Sequence, residues 1–197
     1  MALGSAWAWM RGSASRVGSN RPFALGLQTA RYLLQYGLWL PVIAYVKANV
    51  ADLAWIKGPS MYPFFNPQFN QTLRQDVCLS VKWNAQDKLE RGMIVEFWAP
   101  HDPNKISVKR VIGLEGDIIR TRKGSFVHVP QGYIWVEGDG GASLSRDSNN
   151  YGPISRRLIR GRLTRILYPF HRAGRIRWEE HEHASIHQRA QRAPRFW

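Results

Sequence analysis

The sequence predicts a mainly β fold, an antiparallel barrel or folded sheet, preceded by one amino-terminal helix that spans a membrane or lies on it. Two observations carry that expectation. After Ile56 the helical period disappears, and short alternating apolar runs take over, punctuated by turn residues. Before it, residues 23–46 (FALGLQTARYLLQYGLWLPVIAYV) form a long, mostly apolar stretch. A chain of 197 residues holds one ordinary core with terminal extensions. Its 44% hydrophobic content and nine Trp supply the apolar surface that disordered chains lack.

Residues 1–22 are read as a basic arm. They carry Arg11, Arg16 and Arg21, several serines and no acid, the composition of an organellar presequence; a plain basic arm is the alternative. Residues 23–50 are read as the membrane helix. The 24 apolar-rich residues exceed the ~20 that a bilayer needs, and Pro41 is tolerated in such a helix. Gln28, Arg31 and Gln35 interrupt the run, so a surface-lying amphipathic helix is the alternative. Positive charge ahead of the helix holds the amino end on the negative side, which puts everything from about Asp52 across the membrane.

Residues 51–170 are read as the β domain. Val77, Leu79, Val81 and Trp83 share one strand face, and Met93 to Trp98 form a second strand that stops at Pro100. Ile106, Val108, Arg110 and Ile112 alternate with Ser107, Lys109 and Val111 in a third, and Phe126–Val129, Tyr133–Val136 and Leu163–Tyr168 supply the rest. Cys78 is the sole cysteine, which excludes an intrachain disulfide; it falls out of phase with Val77 and Leu79 and reads as an ordinary sheet residue. Residues 171–197 form an Arg/His-rich tail. His183 and His187 would share a helix face, but no further ligands converge there, so no metal is expected.

The net charge of +14 invites a nucleic-acid reading. Its distribution argues against one. No acid precedes Asp52, arginines crowd the stretch after Tyr151, and the middle is far more balanced. No strand interleaves aromatics with Lys and Arg as a nucleic-acid module would. Targeting or membrane contact accounts for charge at the ends better.

Two places break the strand pattern. In Lys57-Gly58-Pro59-Ser60-Met61-Tyr62-Pro63, Gly and two Pro build a tight turn around one hydroxyl. Serine there can be a mere turn former. Lys109 sits among apolar, β-branched neighbours, where a lysine normally points to solvent. Chemistry joins the two: a lysine made neutral by desolvation can take the proton of a serine, so a Ser/Lys pair needs neither His nor Asp. The histidines are poorly placed for a triad, with His101 in a loop, His128 in a strand and the others in the tail.

Three motifs, in order, resemble those of the type I signal peptidases. Gly58-Pro59-Ser60-Met61-Tyr62-Pro63 is similar to their nucleophile box. Lys109-Arg110-Val111-Ile112-Gly113-Leu114-Glu115-Gly116-Asp117 is similar to the lysine box, and Gly138-Asp139 followed by Ser145-Arg146-Asp147-Ser148-Asn149 to the third. The short spacing and the phrase Val129-Pro130-Gln131-Gly132-Tyr133-Ile134-Trp135-Val136-Glu137-Gly138-Asp139 resemble the mitochondrial inner membrane branch.

This resemblance implies a membrane-bound serine endopeptidase with no cofactor, which removes sorting segments from precursor proteins after small residues. It implies Ser60 as nucleophile, Lys109 as general base, Met61 shaping the site, Ser145 orienting the lysine and Asp147 ordering the surrounding loop. The oxyanion would rest on the Ser60 backbone N–H, because Gly58 stands where bacterial relatives often carry an assisting serine. Asn149 replaces an arginine of those relatives, and Gly140 an asparagine. Further implications are a related catalytic subunit in a heterodimer, contact with membrane lipid, and a single-pass place in the mitochondrial inner membrane with the catalytic domain facing the intermembrane space. The alternatives are a bacterial-type signal peptidase, a self-cleaving repressor with the same dyad, and a non-catalytic subunit that stabilises a partner protease; the last would be marked by loss of Ser60 or Lys109, and both are present.

Overall fold

The structure is a computed structural model that describes residues 29, 31–69, 75–178 and 190–192. The basic arm, the start of the apolar stretch and His181, His183 and His187 lie outside the described residues. The chain divides into two compact units, Met1–Ile43 and Ala44–Trp197. Residues 31–37 are helical, and after a turn at Leu38 helix α1 covers Trp39–Asn49 without burying a side chain. Lys47 in its last turn complements the negative end of the helix dipole. Among the described residues no helix is long and apolar enough to cross a membrane, since the turn at Leu38 divides the stretch.

The fold is antiparallel β throughout. Strands β1 (Ala51–Trp55), β2 (Val77–Val81), β3 (Ile94–Ala99) and β4 (Asp102–Gly113) join β7 (Tyr133–Glu137), β8 (Ile154–Ser155) and β9 (Ile159–Tyr168) in one sheet. Its order is β1-β2-β9-β3-β4-β7-β8, with β10 (Gly174–Arg175) pairing β9. Strands β5 (Asp117–Arg120), β6 (Phe126–His128) and β11 (Ala190–Arg192) form a second sheet in the order β11-β5-β6. The large sheet runs from β1 to β8 without closing, so the expected barrel is corrected to an open sheet. Closure would need long edge strands to meet; β8 is two residues long and Pro153 precedes it.

Burial follows from the strand order. β3 lies between β9 and β4 and is covered on both faces, so Ile94, Val95, Glu96 and Phe97 are all buried and the expected alternation is lost. Val95 and Phe97 pack with Val111, Ile134, Val136 and Ile159, and Ile94 packs on the other side with Ile56, Met61, Phe65 and Leu163. In β2 the inward residues are Cys78 and Ser80, while Val77, Leu79 and Val81 form the half-buried outer face. Trp83 lies beyond that strand and is exposed. Ile176 joins the core, so the globular part runs past residue 170 into the expected tail.

β1 was not expected from the sequence. It starts two residues after α1 ends and pairs with β2 from Ala51↔Val81 to Trp55↔Val77. Lys82 Nζ fastens this junction: it donates to the Lys47 carbonyl at 2.6 Å and to Asp52 Oδ2 at 3.2 Å. Among the described residues no strand covers the other edge of β1, and its residues Asp52 to Trp55 line a cleft.

Candidate active site

The cleft has a volume of about 620 Å³, and Ser60, Met61, Lys109, Leu144 and Arg146 are among its walls. Ser60 sits in the turn after β1. Gly58 adopts φ +80°, a left-handed conformation open to glycine, and this turns the chain so that Pro59 and Ser60 face the cleft. Met61 is anchored beneath, 1% exposed and packed into the core beside Ile56 and Phe65, while also contributing to the cleft wall.

Lys109 comes from the buried half of β4, where it pairs with Val95. It is 5% exposed. Burial lowers its ammonium from the ordinary 10.5 to about 8; the Asp147 and Asp139 charges oppose this fall, and Lys105 and Arg122 assist it. Among the described residues no hydrogen bond engages Lys109 Nζ or Ser60 Oγ, and none takes the Ser60 backbone N–H.

The segment Gly138 to Gly140 forms the floor beneath Ser60. Gly140 N donates to the Ser60 carbonyl at 3.0 Å. A Cβ at Gly138 would collide with Ser145 and the Ser60 carbonyl, and one at Gly140 would come within 2.6 Å of the Pro59 carbonyl. These glycines let two backbones approach closely.

Arg110 holds this floor. Fully buried, it donates to Asp139 through Nε at 2.9 Å and Nη2 at 2.6 Å, to the Gly92 carbonyl through Nη1 at 2.9 Å, and lies 4.9 Å over the Phe64 ring. Bidentate geometry of this kind recovers part of the cost of burying the two charges. Lys109 is thus coupled to Ser60 through its chain neighbour: Arg110 fixes Asp139, and the residues flanking Asp139 touch the Ser60 turn.

Ser145 and Asp147 are buried beside the Gly138 segment and do not line the cleft. Asp147 caps the short helix α3 (Ser148–Tyr151), following α2 (Gly141–Leu144); its Oδ1 accepts from Asn149 N at 3.1 Å, and its own N–H donates to Asn150 Oδ1 at 3.2 Å. Its Oδ2 accepts from Gly138 N at 3.1 Å and from Ser145 Oγ at 3.0 Å. The Ser145 proton therefore goes to the charged acceptor beside it, which leaves the hydroxyl lone pairs free to accept. Asn149 donates from Nδ2 to Asp147 Oδ1 at 3.0 Å, so a carboxamide stands where bacterial relatives carry a guanidinium.

Three residues of this site escaped the sequence reading as participants. Arg110 was read as one member of an alternating strand, Asp139 as part of a motif, and Arg122 not at all. Arg122 lies in the β5–β6 turn and pairs with Asp147 at 3.0 Å and Glu137 at 3.2 Å. Arg110 and Asp139 stand 29 residues apart, beyond any local period. A buried arginine inside an apolar strand was the available signal.

An open antiparallel sheet thus places a serine hydroxyl and a desolvated lysine on one cleft. Residues 29–128 match the family described as "Signal peptidase, peptidase S26", and the chain belongs to that family of peptidases. It is 46% identical over 142 residues to mitochondrial inner membrane protease subunit 2 of Schizosaccharomyces pombe, covering 71% of this chain and 77% of that one. It is 35% identical over 159 residues to mitochondrial inner membrane protease subunit 1 of Homo sapiens, covering 77% and 89%. A solved signal peptidase I from Enterococcus faecalis aligns over 40% of this chain and 98% of its own at 21% identity, with a TM-score of 0.34, too partial a likeness to support more.

Proposed function

We propose that this chain is a membrane-tethered serine endopeptidase that removes sorting segments from precursor proteins delivered to the mitochondrial intermembrane space. Ser60 is the nucleophile, Lys109 the general base, Ser145 and Asp147 order the lysine's surroundings, and Met61 supports the nucleophile turn. The observation that carries the reading is Lys109: a nearly inaccessible amine, lowered to about 8, lines the same cleft as an unengaged serine hydroxyl. At pH 7 about a tenth of such a lysine is neutral, against about one in three thousand at its ordinary value.

The substrate lies extended along the outer edge of β1, where main-chain hydrogen bonds supply affinity and the shallow cleft admits small side chains at the cut. Neutral Lys109 takes the Ser60 proton as Oγ attacks the scissile carbonyl, and the Ser60 N–H donates to the developing oxyanion. Lys109 passes its proton to the leaving amine. It then deprotonates a water that releases the acyl group from Ser60, and the proton returns to the serine.

Residues 23–50 supply the single-pass tether, with the arm of residues 1–22 on the matrix side and the domain of residues 51–170 in the intermembrane space. Residues 171–197 carry no chemistry in this reading. Confinement of enzyme and substrate to one membrane face raises their effective concentration, so weak peptide affinity suffices. A related catalytic subunit of the subunit 1 type is the partner, as the relatives' names suggest.

Comparison of mature amino termini in membranes carrying wild type, Ser60→Ala or Lys109→Met tests this. Both variants are expected to accumulate unprocessed precursors at the same cut sites. Normal processing in either one refutes the dyad.

A further inference from the structure

Arg122 lies outside every motif, yet its guanidinium reaches two buried acids. Nη1 stands 3.0 Å from Asp147 Oδ2; Nη2 stands 3.2 Å from Glu137 Oε2 and donates to the Gly138 carbonyl at 3.1 Å. The backbone N–H of Arg122 donates to Asn149 Oδ1 at 2.9 Å, which locks the turn to the same loop. The side chains are 17% exposed for Arg122, 6% for Glu137 and 0% for Asp147, so these charges interact with little screening.

Arg122 is not the only donor to Asp147. Ser145 Oγ, Gly138 N, Asn149 N and Asn149 Nδ2 all donate to it. What Arg122 changes is the field that this carboxylate presents to Lys109. The charged groups acting on Lys109 are two acids, Asp147 and Asp139, and two cations, Lys105 and Arg122. Arg110 already pairs Asp139 bidentately, and Lys105 is exposed on the protruding half of β4, where water screens it. Arg122 is thus the cation matched to Asp147.

We propose that Arg122 is a positioning residue of the hydrolytic site: its guanidinium balances buried Asp147, so that this carboxylate orders the loop without holding Lys109 as an ion-pair partner. The inference rests on the Ser60/Lys109 reading. It assigns to the β5–β6 turn a task in the reaction, although that turn contributes nothing to the cleft wall.

The test is the pH dependence of kcat/KM for the full-length chain in mild detergent, on a quenched peptide spanning a cut site that is lost in Ser60→Ala membranes. In wild type a rising limb reports deprotonation of Lys109. In Arg122→Gln and Arg122→Met the limb is expected to move up by about one pH unit, a ~10-fold loss at pH 7 that fades at high pH. Arg122→Lys keeps the charge and is expected to keep the limb. A lowered plateau with an unmoved limb in the neutral variants overturns the proposal, as does a limb that moves equally in Arg122→Lys. Neutral variants that fail to fold where Arg122→Lys folds overturn it too, because the charge then serves the fold. Failure of the underlying reading looks different: Lys109→Met would retain activity, or the wild-type profile would lack the limb.

Discussion

Replacing Lys109 by methionine removes the catalytic base of the proposed reaction and should make the protein more stable. The folded chain holds this amine at about 8, against 10.5 when exposed. The difference, multiplied by 1.36 kcal/mol per unit, is a cost of ~3 kcal/mol for keeping the group buried at neutral pH. The direction follows from proton binding. Between those two values the unfolded chain binds the proton and the folded chain does not, so stability rises with pH; below about 8 both are protonated and the full cost applies. Methionine has similar length and no charge to desolvate.

Urea unfolding followed by tryptophan fluorescence, on full-length wild type and Lys109→Met in the same detergent, should therefore show the variant ahead by ~3 kcal/mol at pH 7. The gap should shrink as pH rises from 8 towards 10.5. Other titrating groups cancel in the difference, and any packing gain from the thioether is independent of pH. A gap that stays constant over that range refutes the desolvation account of Lys109. Such a trade of stability for a poised group is common at functional sites.

Asp139→Ala should cost ~3–5 kcal/mol in unfolding free energy, because it strands the fully buried Arg110 guanidinium; the double replacement Arg110→Met with Asp139→Leu should recover much of the loss in the same denaturation assay. Cys78 is fully buried and its thiol is pushed up to about 12, desolvation being the main cause. A thiol reagent at pH 8 should label it only as fast as the domain opens, so immediate labelling of native protein would contradict its place in the core.

Part of the sheet was legible because a strand buried on one face alternates as its burial does: in β2, buried Cys78 and Ser80 alternate with half-buried Val77, Leu79 and Val81. β3 was legible as a strand but not in its facing, since a central strand covered twice carries no period-two signal. β1 was missed because Ala51 to Trp55 contains a charge and two alanines and follows a helix without a turn motif. Openness of the sheet depends on which strands pair at long range, and local pattern does not encode that.

The site was legible where short motifs mark it, at Ser60, Lys109 and the Ser145-to-Asp147 stretch. It was not legible at Arg122. A lone arginine in a hairpin turn has the sequence signature of any solvated surface charge, and only the folded chain brings it to Glu137 at the end of β7 and Asp147 at the start of α3.

Among the described residues no strand covers the outer edge of β1, and in the proposed reading that edge has a consequence beyond binding. Backbone pairing along a strand edge is indifferent to most side chains, but it cannot engage a chain already folded into helix or sheet, whose own backbone groups are taken. An enzyme that reads its substrate this way screens by conformational state before it screens by residue. A globular passenger domain would have to unfold locally to be cut, at a free-energy cost that slows cleavage in proportion, whereas a slack linker beside a membrane is admitted at once. The same open edge that limits sequence discrimination would spare folded neighbours from hydrolysis.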